Sequence, residues 1–313
     1  MARLQDMYGG GSGETFLGLP RCPDPGRLEA RIALIGAGTA TPYAGVGAYC
    51  MEAPAAIRAA AAPYSANLGH VNFDLGGPVL PEGVAAVDAG DLPQDPADPE
   101  GNRARIFGAV GRILDRGGVP VLLGGDDSVP IPMIEAYGGR GRRHTILQID
   151  AHIDWRDEVL GERLGLSSTM RRASEMAHVG PMVQVGQRGI GSARPADHAD
   201  ALARGVRFVP ASEVARNGIL GAADAVEAGA EVIVVLDVDA LDPAIMPAAI
   251  GRTPGGLGYW QVLDLVAAVG RKARIAGFAM TEFMPGRDID GTGALTAAAL
   301  VAAVIGLIAR NEG

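Results

Sequence analysis

Leu147-Gln148-Ile149-Asp150-Ala151-His152-Ile153-Asp154-Trp155 passes from apolar residues into three polar ones, Asp150, His152 and Asp154, spaced two apart. On an extended chain a period of two sets all three side chains on one side. Two carboxylates and an imidazole converging at a strand end make a ligand set for a divalent metal. Further along, Val234-Val235-Leu236-Asp237-Val238-Asp239-Ala240-Leu241-Asp242-Pro243 repeats the pattern, with Asp237 and Asp239 on a common face after an apolar strand. One such pair is ordinarily an Asp-rich turn. Two are harder to explain that way, because gathered carboxylates raise one another's pKa and cost stability unless cations neutralise them.

Both stretches belong to a series of short apolar strands separated by helical patterns. The strands fall at residues 31–35, 84–88, 119–123, 146–149, 183–186, 206–209, 232–236 and 275–280. Between them, helices are expected at 53–62, 103–116 (capped by Asn102), 168–176, 196–204, 219–229, 259–269 and 293–309. Uniformly apolar strands alternating with helices predict an α/β fold: three α/β/α layers around a central, mainly parallel sheet. No linker-like break divides residues 31–313, so they read as a single domain. Residues 1–30, with a glycine run and Pro20, Pro23 and Pro25, form an irregular N-terminal arm, either disordered or packed on a neighbouring subunit. Gly36-Ala37-Gly38-Thr39-Ala40-Thr41-Pro42 invites a dinucleotide-binding reading. It fails, because Thr41 stands where the third glycine belongs and Pro42 opens a loop rather than a helix. In such sheets ligands bind at the carboxyl ends of the strands, where all the polar clusters fall.

Composition narrows the function. The chain has 313 residues, 48% of them apolar, enough for a large core. A net charge of −9 and a pI near 5.1 argue against nucleic acid and against an anionic membrane surface as partners. Cys22 and Cys50 make no disulfide framework. The N-terminus lacks a secretory signal pattern, and the longest apolar run, residues 294–308, is too short to span a bilayer. The expected compartment is the cytoplasm.

Four motifs together resemble one family. Gly124-Gly125-Asp126-Asp127-Ser128, the D-A-H-x-D of Asp150 to Asp154, the D-x-D-x-x-D-P of Asp237 to Pro243, and Thr281-Glu282-Phe283-Met284-Pro285 are similar to those of the ureohydrolases, the arginases and agmatinases. They occur in that family's order, and an agmatinase-like member fits best. The resemblance implies a three-layer α/β/α fold, two divalent metal ions, most often Mn²⁺, and homo-oligomers such as trimers or hexamers. It also implies hydrolysis of a small guanidino substrate to an amine and urea by a metal-bridging hydroxide; for an agmatinase, agmatine gives putrescine and urea. Carried over position by position, Asp150 and Asp237 would bridge the metals. Asp154 would complete one shell, and His152 and Asp239 the other. Asp154 and Glu282 would serve catalysis, Glu282 by holding the guanidinium. Two Lewis acids sharing a water lower its pKa towards neutrality, and hard carboxylate ligands with an imidazole suit Mn²⁺.

The chain also departs from the family pattern. The usual Gly-Gly-Asp-His-Ser histidine is Asp127 here, retained as a metal ligand because aspartate still ligates. The histidine that precedes the Arg-Arg pair in agmatinases is missing from Gly165-Leu166-Ser167-Ser168-Thr169-Met170-Arg171-Arg172. The usual G-T-G-T-P is replaced by Ala248-Ala249-Ile250-Gly251-Arg252. These departures leave two alternatives beside agmatine hydrolysis: an amidinohydrolase acting on a guanidino acid such as guanidinobutyrate, or a pseudoenzyme that keeps the fold as a binding or assembly module. Of the other polar residues, His144 reads as structural, and His70, His178 and His198 as solvated. Arg163, Arg171 and Arg172 read as a surface cluster. Trp155 either walls the pocket or packs beneath the loop.

Overall fold

The computed structural model describes residues 10–311. Strands β1 (Ile32–Ala37), β2 (Ala86–Asp91), β3 (Val119–Gly124), β4 (His144–Ile149), β5 (Val179–Val185), β6 (Arg207–Val209), β7 (Glu231–Asp237) and β8 (Arg274–Thr281) form one sheet in the order β2-β1-β3-β8-β7-β4-β5-β6. Every pairing is parallel. All eight expected strands are present, displaced by up to four residues at an end.

Strands with both faces apolar need cover on both sides, and the helices divide accordingly. On one face Ile57 of α1 (Ala53–Ala61) packs with one apolar cluster of the sheet. The same cluster takes Ala222 of α7 (Leu220–Asp224), Leu265 of α8 (Tyr259–Gly270) and Leu300 of α9 (Thr292–Arg310). On the other, Ile106 and Val110 of α2 (Pro99–Asp115), Met133 of α3 (Pro130–Glu135), Met170 of α4 (Thr169–Glu175) and Ala201 of α5 (Pro195–Ala203) pack against Ile35, Ile146 and Val235. This is the expected three-layer arrangement. A short α6 (Ala211–Asn217) completes the helices, and neither it nor α3 was foreseen.

Several local readings are corrected. α2 starts four residues before the expected position and is capped by Asp98, whose side chain accepts from Gly101 N–H at 2.9 Å. Asn102 lies buried inside that helix instead, its amide donating to the Asp95 carbonyl at 2.8 Å. Pro99 takes the first helical position, where its missing N–H costs nothing. The helix expected over 219–229 closes after Asp224. The apolar run near the C-terminus becomes a helix of 19 residues, long and apolar enough by composition to cross a membrane; 72% of its most apolar window is buried inside the protein. It exceeds the expected 293–309 by one residue at each end.

The arm's first nine residues lie outside the described residues. From residue 10 on, it is seated on its own chain. Phe16, Leu17, Leu19 and Leu28 are buried, and Phe16 N–H donates to Asp88 Oδ2 at 2.8 Å. Asp88 is itself paired with buried Arg58 at 2.7 Å, so one carboxylate ties the arm and α1 to β2. The turn after β1 is no phosphate cradle. It lies against the turn after β3 so closely that a Cβ on Gly125 would fall 1.7 Å from the Gly38 carbonyl oxygen. Thr39 Oγ1 donates to Asp126 at 2.7 Å, and Thr41 N–H to Ser128 Oγ at 2.8 Å.

Candidate metal centre

The polar motifs follow β3, β8, β7 and β4, four consecutive strands in the middle of the sheet. Their carboxyl ends open into a cavity of about 230 Å³ whose walls include Asp127, His152, Asp154, Asp237, Asp239 and Glu282. Asp150 is fully buried beside it. The seven residues singled out in the sequence therefore gather in one place.

They converge by turns rather than by pleat, which corrects the period-two expectation. β4 ends at Ile149, and Asp154 has φ of 43°, in the left-handed region that a non-glycine residue rarely adopts. β7 ends at Asp237, and a single 3₁₀ turn, Val238–Ala240, brings Asp239 round, with Asp237 Oδ1 accepting from Asp239 N–H at 2.7 Å. Glu282 also sits at positive φ, 68°. Such strain costs about 1–3 kcal/mol per residue and persists where surrounding contacts over-determine it. At Glu282 those contacts are its own N–H to the Gly125 carbonyl at 2.7 Å and Asp127 N–H to its Oε1 at 2.8 Å.

Two donor groups emerge, each with ligating atoms within 4.8 Å of one another: Asp127, Asp150 and Asp154, and Asp150, His152 and Asp239. Asp150 is common to both. His152 Nδ1 lies 3.0 Å from Asp239 Oδ2 and 3.5 Å from Asp150 Oδ1. Asp237 stands on the cavity wall outside both groups. Gly251 presses on the second group, since a Cβ there would come within 2.5 Å of Asp239 Oδ2 and 2.7 Å of His152 Cε1. The departure at residues 248–252 thus abuts the site itself.

Without cations this cluster is electrostatically costly. Burial, then the charge of Asp239, pushes Asp150 up to about 7. Burial followed by neighbouring carboxylates raises Asp127, Asp154, Asp237 and Glu282 well above the usual range. Burial pulls His152 down, but hydrogen bonding and charge from Asp150 and Asp239 outweigh it and carry the imidazole up to about 11. Asp127 Oδ2 is buried with no hydrogen-bond partner, while Oδ1 accepts from Thr281 at 2.9 Å. An orphaned carboxylate oxygen facing like charges is what a cation would satisfy. The donor set, carboxylate oxygens with one imidazole, suits a hard or borderline divalent ion.

Supporting residues escaped the sequence reading. Gln148 Nε2 donates to Asp150 Oδ2 at 2.6 Å and Asp154 Oδ2 at 2.7 Å, and Gln184 Nε2 holds Gln148 Oε1 in turn. Their only signal was one glutamine inside each of two apolar strands. Tyr49 O–H reaches both Glu282 oxygens at 2.8 Å. Trp155 does both things proposed for it, since it lines the cavity, is buried, and donates Nε1–H to Asp200 at 2.8 Å. His144 is buried edge-on to Tyr137, as a structural residue should be. His178 is not simply solvated, because its Nε2 lies 2.8 Å from the Ile134 carbonyl. Arg163, Arg171 and Arg172 pair with Asp157, Glu175 and Asp200 and do not line the cavity.

Fold and site together define an α/β/α protein with a carboxylate-rich cleft at the carboxyl ends of its central strands, with donors suited to divalent cations. A model of the arginase family matches residues 30–306. The chain belongs to the arginase family of amidinohydrolases, which act on C–N bonds. An N(1)-aminopropylagmatine ureohydrolase of Thermus thermophilus is 37% identical over 62% of this chain, a match spanning just under two thirds (64%) of that protein. The guanidinopropionase of Pseudomonas aeruginosa is 30% identical over 95% of this chain and 92% of its own length. The solved structure of proclavaminate amidinohydrolase from Streptomyces clavuligerus superposes with a TM-score of 0.80 at 27% identity, covering 96% of this chain and 98% of that one.

Proposed function

We propose that this chain hydrolyses a guanidino compound to urea and an amine at a centre of two divalent cations. The observation that carries the reading is the pair of donor groups sharing Asp150, with Glu282 on the same cavity wall. Asp127 and Asp154 would hold one ion and His152 and Asp239 the other, with Asp150 common to both and Asp237, the other bridging candidate from the sequence, on the cavity wall outside both groups. Manganese is the first candidate on donor chemistry. Bound there, the cations supply Lewis acidity that lowers the pKa of a water, so that a nucleophile is available near neutral pH.

The remaining work belongs to the side chains. Gln148, held by Gln184, fixes the directions of Asp150 and Asp154. Glu282 accepts a guanidinium N–H by a charge-assisted hydrogen bond, its carboxylate aimed by Tyr49 and the Asp127 N–H. The oxygen of water adds to the guanidinium carbon, the C–N bond to the tail breaks, and a proton leaves with the amine. His152 is the only histidine on the cavity wall among the described residues. Leu166 and Ser167 line the wall on the loop that carries a histidine in agmatinases.

Agmatine, giving putrescine and urea, is the substrate to which the motifs point first. A guanidino acid is the second reading, supported by the similarity to a guanidinopropionase along nearly the whole chain. Action in the cytoplasm as a homo-oligomer completes the proposal. The test is urea release across guanidino compounds with Mn²⁺, Ni²⁺, Co²⁺ and Zn²⁺ supplied separately, alongside elemental analysis. Two ions per chain and urea from at least one substrate are expected. No bound metal and no urea would leave the binding-module alternative.

A further inference from the structure

The cavity has two chemically different ends. Its floor is the carboxylate cluster, where Asp127, Asp237, Asp239 and Glu282 are nearly inaccessible to water. Its outer, partly exposed wall carries Arg156 and Asp197 beside the small residues Gly191, Ser192 and Ala193. Glu282 on the floor and Arg156 on the outer wall line the same cavity, so a guanidino compound held by Glu282 would have its tail free to meet that wall.

Arg156 is used differently from the arginines around it. Arg188 donates to the carbonyls of Asp239 at 2.8 Å and Thr253 at 2.7 Å, and Arg171 and Arg172 are hydrogen-bonded to carboxylates. Among the described residues, the Arg156 side chain finds no hydrogen-bond acceptor. Its single partner there is Asp197 Oδ2, 3.6 Å from Nε, beyond hydrogen-bond length, and its Nη1 is buried with no acceptor. Its backbone is nevertheless held, because Arg156 N–H donates to the Ser167 carbonyl at 2.9 Å and the preceding Trp155 is buried. A guanidinium carries five donors in a planar fork shaped for a carboxylate. Here that fork is carried by a held backbone segment, on a residue that lines the cavity, and it lacks acceptors.

The geometry points to Arg156 as the specificity-determining residue, receiving a carboxylate at the far end of the substrate. The substrate class is therefore a guanidino acid rather than a guanidino amine. This rests on the proposed hydrolysis and names its substrate. An ammonium tail would meet the positive guanidinium of Arg156 in the same place. Asp197 does not reverse that preference. Its charge is met by Arg156 and by the amino end of α5, in whose first turn it lies.

The experiment uses the manganese-loaded protein and a pair of substrates equal in methylene count. Agmatine carries four methylenes and an ammonium; 5-guanidinopentanoate carries four and a carboxylate. 3-Guanidinopropionate and 4-guanidinobutyrate test length. The acids are expected to give the higher kcat/KM. Arg156→Gln should raise KM for the preferred acid at least about tenfold with a smaller change in kcat, the signature of lost ground-state binding. Arg156→Lys should recover part of the loss, and the ratio of acid to agmatine turnover should fall in Arg156→Gln. Higher kcat/KM for agmatine in the parent, or an unchanged KM for the acid in Arg156→Gln, would overturn the inference while leaving guanidino hydrolysis standing. If no compound yields urea, the hydrolytic reading fails separately. Calorimetric titration of 4-guanidinobutyrate into parent and Arg156→Gln then decides the inference alone, and equal affinities would refute it.

Discussion

Removing the cations should make this protein less stable as the pH rises, because Asp150 and, in the same sense, Asp127, Asp154, Asp237 and Glu282 are pushed up on folding. The Asp150 carboxyl moves from 3.8 to about 7 on folding. Between those values the native state keeps a proton that the unfolded chain has released. Stability therefore falls as pH rises through that window and stays low above it. The displacement corresponds to roughly 4 kcal/mol once the window is crossed. His152, carried up to about 11, acts in the same sense above its ordinary 6.5. His144, pulled down to about 4 chiefly by burial, acts oppositely between 4 and 6.5. Asp150→Asn separates the contributions, since His144 is common to both proteins. Urea unfolding of chelator-treated protein at pH values from about 5 to about 8 should show the parent losing stability and the variant losing several kcal/mol less. Adding Mn²⁺ should stabilise the parent, and more at the upper end of the range, because ions displace protons from the same oxygens. A metal-free parent whose stability is flat or rising over that range, or a variant with the same slope, would refute this electrostatic account.

Three further outcomes are expected. Glu282→Gln should retain both ions but lose tenfold or more in kcat/KM, since breaking a desolvated charge pair costs roughly 2–5 kcal/mol; parallel loss of metal and activity would make Glu282 a ligand. Asp127→Asn should weaken one ion more than the other in a metal titration, and Asp127→His should keep both, because only the former replaces a charged or strongly basic donor with a neutral amide oxygen. Arg58→Leu should destabilise by about 3–5 kcal/mol in chemical unfolding, because it leaves the fully buried Asp88 unpaired at the joint between arm, α1 and β2.

The sequence showed the layers and the donor residues because both follow from local pattern. Apolar runs such as residues 232–236 admit little but a covered strand, and carboxylates placed just after such runs lie at strand ends. What the pattern did not show was how the donors meet. Asp154 at positive φ and the 3₁₀ turn at Asp239 depend on the surrounding packing, so strand periodicity named residues that do meet but by a route they do not take. Gln148 and Gln184 looked like single polar interruptions, since nothing local reveals that β4 and β5 pair them at the same level. Asn102 misled for a related reason: it is a good cap residue, and Asp98 with Pro99 formed the stronger start four residues earlier. Arg156 lay next to the clearest motif, yet its lack of hydrogen-bond acceptors is visible only in three dimensions.

The order of the sheet bears on how the chain acquires its chemistry. β8 is last in sequence but lies between β3 and β7, and Phe278 sits in register with Val121 on one side and Val234 on the other. A chain growing from its amino end can pair β1 to β3 and β4 to β7, yet those two sub-sheets present open, apolar edges until β8 arrives. Asp127 follows a strand of the first, while Asp150, His152, Asp154 and Asp239 follow strands of the second, so the donor group of Asp127, Asp150 and Asp154 is divided between the halves. The full pair of donor groups therefore comes together only when the final strand closes the gap, and a centre of two ions favours the completed product. The slot is filled by contacts distant in sequence, which makes closure the slow and aggregation-exposed step of biogenesis.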